Sequence, residues 1–434
     1  MKPGCLLAAA SLSLSVSGVQ MTVTNNPYQA VNWSQPLWCV AQHHDHPGMN
    51  ESRTRAYDAA GYQALSAMYY SGVASLDYSW TERKWPVYPY LGYPSDAAFL
   101  ATCANLKLFI PNAEEVGYDH VTSPFLTTYI AKWEPAYYPQ YTAPQPWHYT
   151  NTQDCIDTIA SYGGLPSLAH PWYGPAAYYV PLRHLRAVEI YNAYGPYQER
   201  HGGPTNLTAR LLPCWDALLS TNSTRIWGIA VNDWYGPWNG DVQQSDPDIW
   251  DSGKIQVLLP EYSLTAYQAA YDRGAFFAVR DNRTTVPKGP LPLVQDILVN
   301  QQSITVHFAG TVRWVGNNGV EVAQGGTLDL QTLPAGLTYV RAELSAPGVV
   351  LYVQPFSLAP GSGPTMPQLA VLAAGPGQFA FQLQGQPGVR YYLQQSTNFS
   401  SWVTFSTNTL SGSTLNVTNA STGSAKFYRA LWLP

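Results

Sequence analysis

Hydrophobic and polar positions divide the chain into two textures. From about residue 26 to 258, short apolar runs alternate with stretches of helical periodicity, the pattern of βα units. Residues 38–41 read as a strand and 53–60 as a helix stopped by Gly61. Strands follow at 64–68 and 108–110, then a helix at 154–162 ended by Gly163-Gly164 and a strand at 166–169. Strands at 188–191 and 228–231 flank a helix around 215–220, and 263–273 reads as a helix closed by Gly274. After residue 276 the period shortens to two. Runs such as 303–308, 338–344 and 349–354 alternate between turn residues, which predicts an all-β unit over 276–358. Residues 359–367 are rich in Gly, Pro and Ser and read as a linker; 368–434 alternates again, at 379–384 and 391–395, as a second β module. The expected fold class is therefore α/β over 26–275, followed by two small all-β modules.

Composition narrows the setting. Charged residues make up 11% of the 434 positions, against 46% hydrophobic, and the chain holds 15 Trp and 31 Tyr. A net charge of −5 without a basic cluster argues against nucleic acid as a partner. Lys2 precedes an apolar, small-residue run from Leu6 to Val16, with Ser17 and Gly18 where cleavage can occur, so residues 1–20 read as a signal peptide and the location as secreted or periplasmic. No other run approaches the length of a transmembrane helix. Cys39, Cys103, Cys155 and Cys214 allow disulfides in such a compartment; buried free thiols are the alternative. The aromatic, proline-rich stretch 133–149 reads as a surface loop, a lid or a glycan-contacting surface.

The candidate chemistry gathers at strand ends. His44 and His46, two apart on an extended segment just after a strand, face the same way and can reach one ion. Glu114 follows strand 108–110, with His120 six residues on; His170 follows strand 166–169 and Asp233 follows strand 228–231. In a (β/α) barrel such ends converge on one face. Each alone is a satisfied polar residue or a helix cap; together they predict a divalent-metal site. Arg53 and Arg55, just past the HxH loop, are candidates to clamp a phosphate, although their place at a helix start fits solvated surface equally well. Asn192, after a strand, is a candidate substrate hydrogen-bonding group, with Glu189 beside it read as structural.

These segments resemble the PHP (polymerase and histidinol phosphatase) family of metallohydrolases over roughly residues 26–260. The resemblance lies in Asn26-Pro27-Tyr28 with Trp33, His44-x-His46, Gly61-Tyr62, Ile110-Pro-Asn-Ala-Glu114, and His120-Val121. It continues in Gly163-Gly164-Leu165, Ala169-His170-Pro171, Glu189-Ile-Tyr-Asn192 and Gly228-Ile-Ala-Val-Asn-Asp233. It implies a distorted (β/α)7 TIM-like barrel and hydrolysis of a small-molecule phosphoester. It also implies two divalent ions, Zn, Mn or Fe: one held by His44, His46, Glu114 and Asp233, the other by Glu114 as bridge with His120 and His170. Where the family usually has Thr-Asp-His this chain has Met68-Tyr69-Tyr70, where it has Asp-x-His this chain has Asp233-Trp234-Tyr235, and Ser52 stands where a further His is usual. Those losses cluster on a third metal. Tyr70 and Tyr235 then either replace it with phenol donors beside Glu114 in a two-metal hydrolase, or mark a decayed enzyme that binds a ligand or glycan without turnover. The last module, with Tyr391-Tyr392 through Trp402 and Phe427-Tyr428-Arg429-Ala430, is similar to β modules at the C-termini of exported bacterial proteins.

Overall fold

The structure is a computed structural model that describes residues 21–45, 51–66, 69–70, 91–116, 119–126, 152–221, 225–233, 250–285, 288–360, 367–420 and 426–432. The expected signal segment 1–20, the loop 133–149, most of the 359–367 linker, His46 and Tyr235 lie outside the described residues, as do the side chains of Arg53, Tyr70 and Glu114. The chain divides into two compact units. One holds 23–329 with 336–359; the other holds 360 onward with 21–22 and 330–335.

The first unit is mixed α/β with extensive sheets. Its strands are β1 (Met21–Asn25), β2 (Leu37–Gln42), β3 (Ala64–Ser66), β4 (Tyr69–Tyr70), β5 (Leu108–Ile110), β6 (Asn112–Val116), β7 (Val121–Pro124), β8 (Ser167–Leu168), β9 (Ala187–Asn192), β10 (Trp227–Val231), β11 (Gly253–Leu259) and β12 (Phe276–Asp281). Among the described residues there are seven α-helices: α1 (Glu51–Ala59), α2 (Asp96–Leu100), α3 (Thr152–Ser161), α4 (Ala176–Tyr179), α5 (Tyr194–Arg200), α6 (Thr208–Thr221) and α7 (Leu264–Arg273). Helix α7 shows the expected punctuation: the Ser263 hydroxyl accepts from Ala266 N at 3.1 Å, and Gly274 at φ 79° turns the chain out. Helix α6 begins earlier than its sequence suggests. Pro213 interrupts the donor ladder early in the helix, and buried Leu211, Cys214, Trp215, Leu218 and Leu219 continue one apolar face past it.

Two sheets frame the site. Strands β2, β3 and β5 run parallel, as do β8, β9 and β10, so within each set the C-terminal ends share an edge. The second sheet runs β10-β9-β8-β7-β6-β4, with β7 antiparallel to both neighbours. Side chains tie β2, β10 and β11 together at the site end. Asn232 Oδ1 accepts from the backbone N–H of Ser252 and Gly253, and Gln42 Nε2 donates to Gly253 O at 2.7 Å. A Cβ on Gly253 would fall 1.9 Å from Val231 O, so this approach of β10 to β11 requires glycine.

The stretch 276–358, set apart in the sequence by its period, is joined to the preceding elements by backbone pairing. Strand β12 pairs with β11 on one side and, on the other, with Val349–Val353. The remaining strands of this stretch are β13 (Val294–Val299), β14 (Ser303–Phe308), β15 (Thr311–Val315), β16 (Glu321–Gln324), β17 (Thr327–Asp329), β18 (Tyr339–Ala346), β19 (Val349–Val353) and β20 (Phe356–Pro360). Buried polar groups secure the join. Asp216 on α6 receives Arg341 through both carboxylate oxygens at 2.8 Å, together with the Tyr339 hydroxyl. Gln354 exchanges two hydrogen bonds with the backbone of Gly228.

In the second unit, β21 (Gln368–Leu372), β22 (Gln378–Gln384), β23 (Arg390–Ser396), β24 (Val403–Thr409), β25 (Thr414–Ala420) and β26 (Phe427–Trp432) form two three-stranded sheets, β21-β22-β25 and β24-β23-β26. Phe381, Leu383, Tyr391, Leu393 and Leu410 form its core. All four described cysteines are buried and free, so the disulfide expectation gives way to the free-thiol alternative. Among the described residues no helix is long and apolar enough to cross a membrane.

Candidate metal centre

The loops after β2, β8 and β10 bring His44, His170 and Asp233 together, with one ligand atom from each lying within 4.8 Å of the others. His44 is fully buried, and His170 and Asp233 are nearly so. His44 Nε2 is 3.3 Å from Asp233 Oδ1, and His170 Nε2 is 3.7 Å from Asp233 Oδ2. The two imidazole rings lie 5.6 Å apart.

What holds them is a carboxylate one strand away. Glu189, fully buried on β9, accepts from His44 Nδ1 at 2.5 Å, from His170 N at 2.7 Å and from Asn192 Nδ2 at 2.9 Å. Asn192 Nδ2 also donates to Asp233 Oδ2 at 3.0 Å. On a regular strand, residues three apart face opposite ways. A register shift between Ile229 and Ala230, where β9 carries one extra residue, lets Glu189 and Asn192 share a face.

This arrangement sets which nitrogen of His44 donates to Glu189. A carboxylate can only accept, so a His44 proton sits on Nδ1 and Nε2 is turned toward Asp233. With the ring neutral, its Nε2 lone pair and Asp233 Oδ1, 3.3 Å apart, are placed to share a cation. A His whose far nitrogen is anchored on a carboxylate is the arrangement that protein metal sites use to orient an imidazole. The donor set of two imidazole nitrogens and a carboxylate fits Zn, Mn or Fe.

The backbone around the donors is held in an uncommon conformation. His120, His170 and Asp233 have φ of 54°, 24° and 53°, each costing on the order of 1–3 kcal/mol. Each turn is braced by another site group: Asp233 N donates to His44 O at 3.0 Å, His170 N to Glu189, and Ala169 N to His120 O at 2.8 Å. The strain is thus spent on aiming side chains that the bracing bonds then hold.

The other sequence candidates fall in three groups. His120 joins the cluster, its ring 4.9 Å from that of His170. Glu114 lies on β6, paired in register with Tyr69 of β4, which places its backbone and that of Tyr70 on the same sheet as β8–β10. Arg55 is not brought to the donors. Its Nε donates to Glu51 Oε1 at 2.8 Å, four residues back on α1, and its Nη2 donates to Tyr93 and Thr102. His43 turns the other way from His44. Its ring stacks on Tyr271 at 4.5 Å and bonds the Tyr267 hydroxyl at 2.7 Å, and burial pushes its pKa down to about 3. It is a neutral packing residue.

Beside the donors lies a cavity of about 390 Å³, bordered by His120, His170 and Asp233 and walled by residues of the 172–210 segment. Sequence reasoning missed that wall, and it read Glu189 as structural.

No family model matches the chain, and no curated protein matches it. Among solved structures, a two-domain protein from Bacteroides vulgatus containing a predicted PHP-like metal-dependent phosphoesterase is similar over 94% of this chain and 98% of its own, at 11% identity and a TM-score of 0.35. A likeness that distant assigns this chain neither a fold nor an activity.

Proposed function

We propose that the chain is a divalent-metal-dependent hydrolase of small phosphoesters, with its α/β region arranged as a distorted (β/α)7 barrel of the PHP kind. The observation that carries the reading is the bond from His44 Nδ1 to Glu189, which turns Nε2 toward Asp233 beside His170. His46, Glu114 and His120 would extend the donors to two ions, with Glu114 shared between them, as the family resemblance implies. Support for the barrel comes from the two parallel sets, β2-β3-β5 and β8-β9-β10, and from the ties that Gln42 and Asn232 make between β2, β10 and β11. The low charged content and the apolar run near the N-terminus support export.

Bound metal supplies a water of lowered pKa and stabilises developing negative charge on phosphorus-bound oxygen. The chain supplies positioning. Glu189 orients the His44 ring and holds the His170 backbone, and Asn192 links the two carboxylates so that Asp233 keeps its orientation. Trp172 stacks on the His170 ring at 4.5 Å and shields that flank from water.

The test is metal analysis joined to a phosphoesterase assay on metal-stripped protein reloaded with Mn²⁺ or Zn²⁺. One to two equivalents should bind per chain, as the six proposed donors allow. Glu114→Gln and His170→Ala should each lower hydrolysis of p-nitrophenyl phosphate by on the order of 10²–10³-fold. Less than one equivalent of metal in well-folded protein, or metal-independent activity equal in all three proteins, sinks the reading.

A further inference from the structure

The cavity beside the donors has a far wall that metal binding does not explain. Trp172, Tyr173, Tyr194, Gln198 and Arg210 line it: three aromatic rings, one amide and one permanent cation. Trp172 is buried and fixed, packed with Leu207 and Leu211 on one side and stacked on His170 on the other. Tyr173 is 49% exposed, an unusual position for a large ring, and it stands edge-on to His170 at 5.6 Å and 5.5 Å from His120. It lines the cavity while remaining half open to solvent.

Arg210 is anchored toward the donors. Its Nη1 donates to Trp172 O at 2.8 Å, the carbonyl two residues past His170. That bond orients the guanidinium plane. Among the described residues Arg210 forms no ion pair with a carboxylate, so its remaining N–H groups keep their capacity for an anion. A planar fork with two parallel donors suits phosphoryl oxygen in particular. Aromatic walls of this kind bind a ring by face or edge contact, and a cavity of about 390 Å³ accommodates a phosphate plus a single ring.

We propose that this cavity selects the leaving group: the substrate is a phosphomonoester of a ring-bearing alcohol, with Arg210 on a non-bridging phosphoryl oxygen and Tyr173 and Tyr194 against the ring. This rests on the metal-hydrolase reading above and adds a substrate class and three specificity residues to it. Small unbranched phosphoesters then bind through the phosphoryl group alone and lose the contribution of the aromatic wall.

Calorimetry with two hydrolysis-inert probes, phenylphosphonate and methylphosphonate, on Mn²⁺-loaded protein tests this. The wild type should bind the phenyl probe about tenfold more tightly than the methyl probe. Arg210→Gln should weaken both probes by about 10–100-fold, the loss expected for a charged hydrogen bond. Tyr173→Ala should weaken only the phenyl probe, by several-fold. Both side chains are exposed, so folding should survive either change. Equal affinity for the two probes, or Arg210→Gln binding as wild type does, overturns the proposal. A Mn²⁺ titration of each protein without phosphonate separates the failures. Metal bound without discrimination between probes removes the subsite alone, whereas no metal bound by the wild type removes the hydrolase reading and this proposal with it.

Discussion

Two buried charge clusters in the first unit are built from similar parts and reach different ends. In one, Asp251 and Asp281 meet Lys254, Arg283 and Lys288. Arg283 donates to both oxygens of Asp281 at 2.8 and 2.7 Å, Lys254 lies between Asp281 and Asp251, and Lys288 Nζ donates to Asp281 O and to the Ser252 hydroxyl. Burial alone would raise the Asp281 pKa; the hydrogen bonds from Arg283 and the charge of Lys254 bring it below the usual carboxylate value. In the other cluster, Glu189 and Asp233 are equally buried, and their described ion-pair partners are the imidazoles of His44 and His170. The first cluster carries its own cations. The second holds one carboxylate, Glu189, with N–H donors and sets the other, Asp233, among imidazole nitrogens that could share a cation with it. Charge matching, not burial, is what separates a structural ion network from a metal site.

The largest effect should come from breaking the self-matched cluster. Asp281→Ala leaves Arg283 and Lys254 without their shared carboxylate, and removing one partner of a buried pair costs about 3–5 kcal/mol. Denaturant unfolding should show this as a fall in midpoint at unchanged slope. A loss under about 1 kcal/mol would mean that the network is solvated and the contrast with the donor cluster false.

The matching change in the donor cluster should act on metal and not on stability. In Glu189→Gln the amide oxygen can satisfy the N–H groups of His170 and Asn192, which turns its NH₂ toward His44 Nδ1. His44 then carries its proton on Nε2 and donates to Asp233, so the cluster satisfies itself. Divalent-metal affinity, measured by chelator competition, should fall about 10–100-fold. The melting temperature in EDTA should hold or rise. Unchanged metal affinity would remove Glu189 from the orienting role.

How far this contrast was legible in the sequence depends on what places each residue. His44, His170 and Asp233 each follow an apolar run, so strand ends and their convergence could be read. Glu189 could not, because period-two alternation puts it opposite Asn192, and only the extra residue in β9 turns both to one face. Arg210 lies in the first two turns of α6, ahead of the stretch 215–220 that reads as helix in the sequence. The positive φ values at His120, His170 and Asp233 cannot be read from residue type alone: His and Asp are enriched there, yet most of them take ordinary conformations. The βα texture of 26–275 was readable from period alone. The pairing of β12 with β11 and β19 was not, because registers between antiparallel strands depend on partners far along the chain. For the same reason the Asp251–Asp281–Lys254–Lys288 cluster went unseen.

The smallest effect is a pH dependence confined to the self-matched cluster. Burial lowers the Lys288 pKa from 10.5 to about 8, against the pull of Asp281. Between pH 8 and 10.5 the unfolded chain therefore binds more of this proton than the folded one, and stability should rise with pH across that window. The contribution is fully present above the unfolded value and is lost as pH falls through the folded one. Its slope is at most about 1.4 kcal/mol per pH unit. Lys288→Met should flatten the stability curve from pH 8 to 10.5, while Glu189→Gln leaves that slope in place. Tyrosine and cysteine ionisation is common to all three proteins and cancels in the comparison. If Lys288→Met keeps the wild-type slope, the lysine is charged in the folded protein throughout, and the cluster holds its three cations more firmly than burial alone allows.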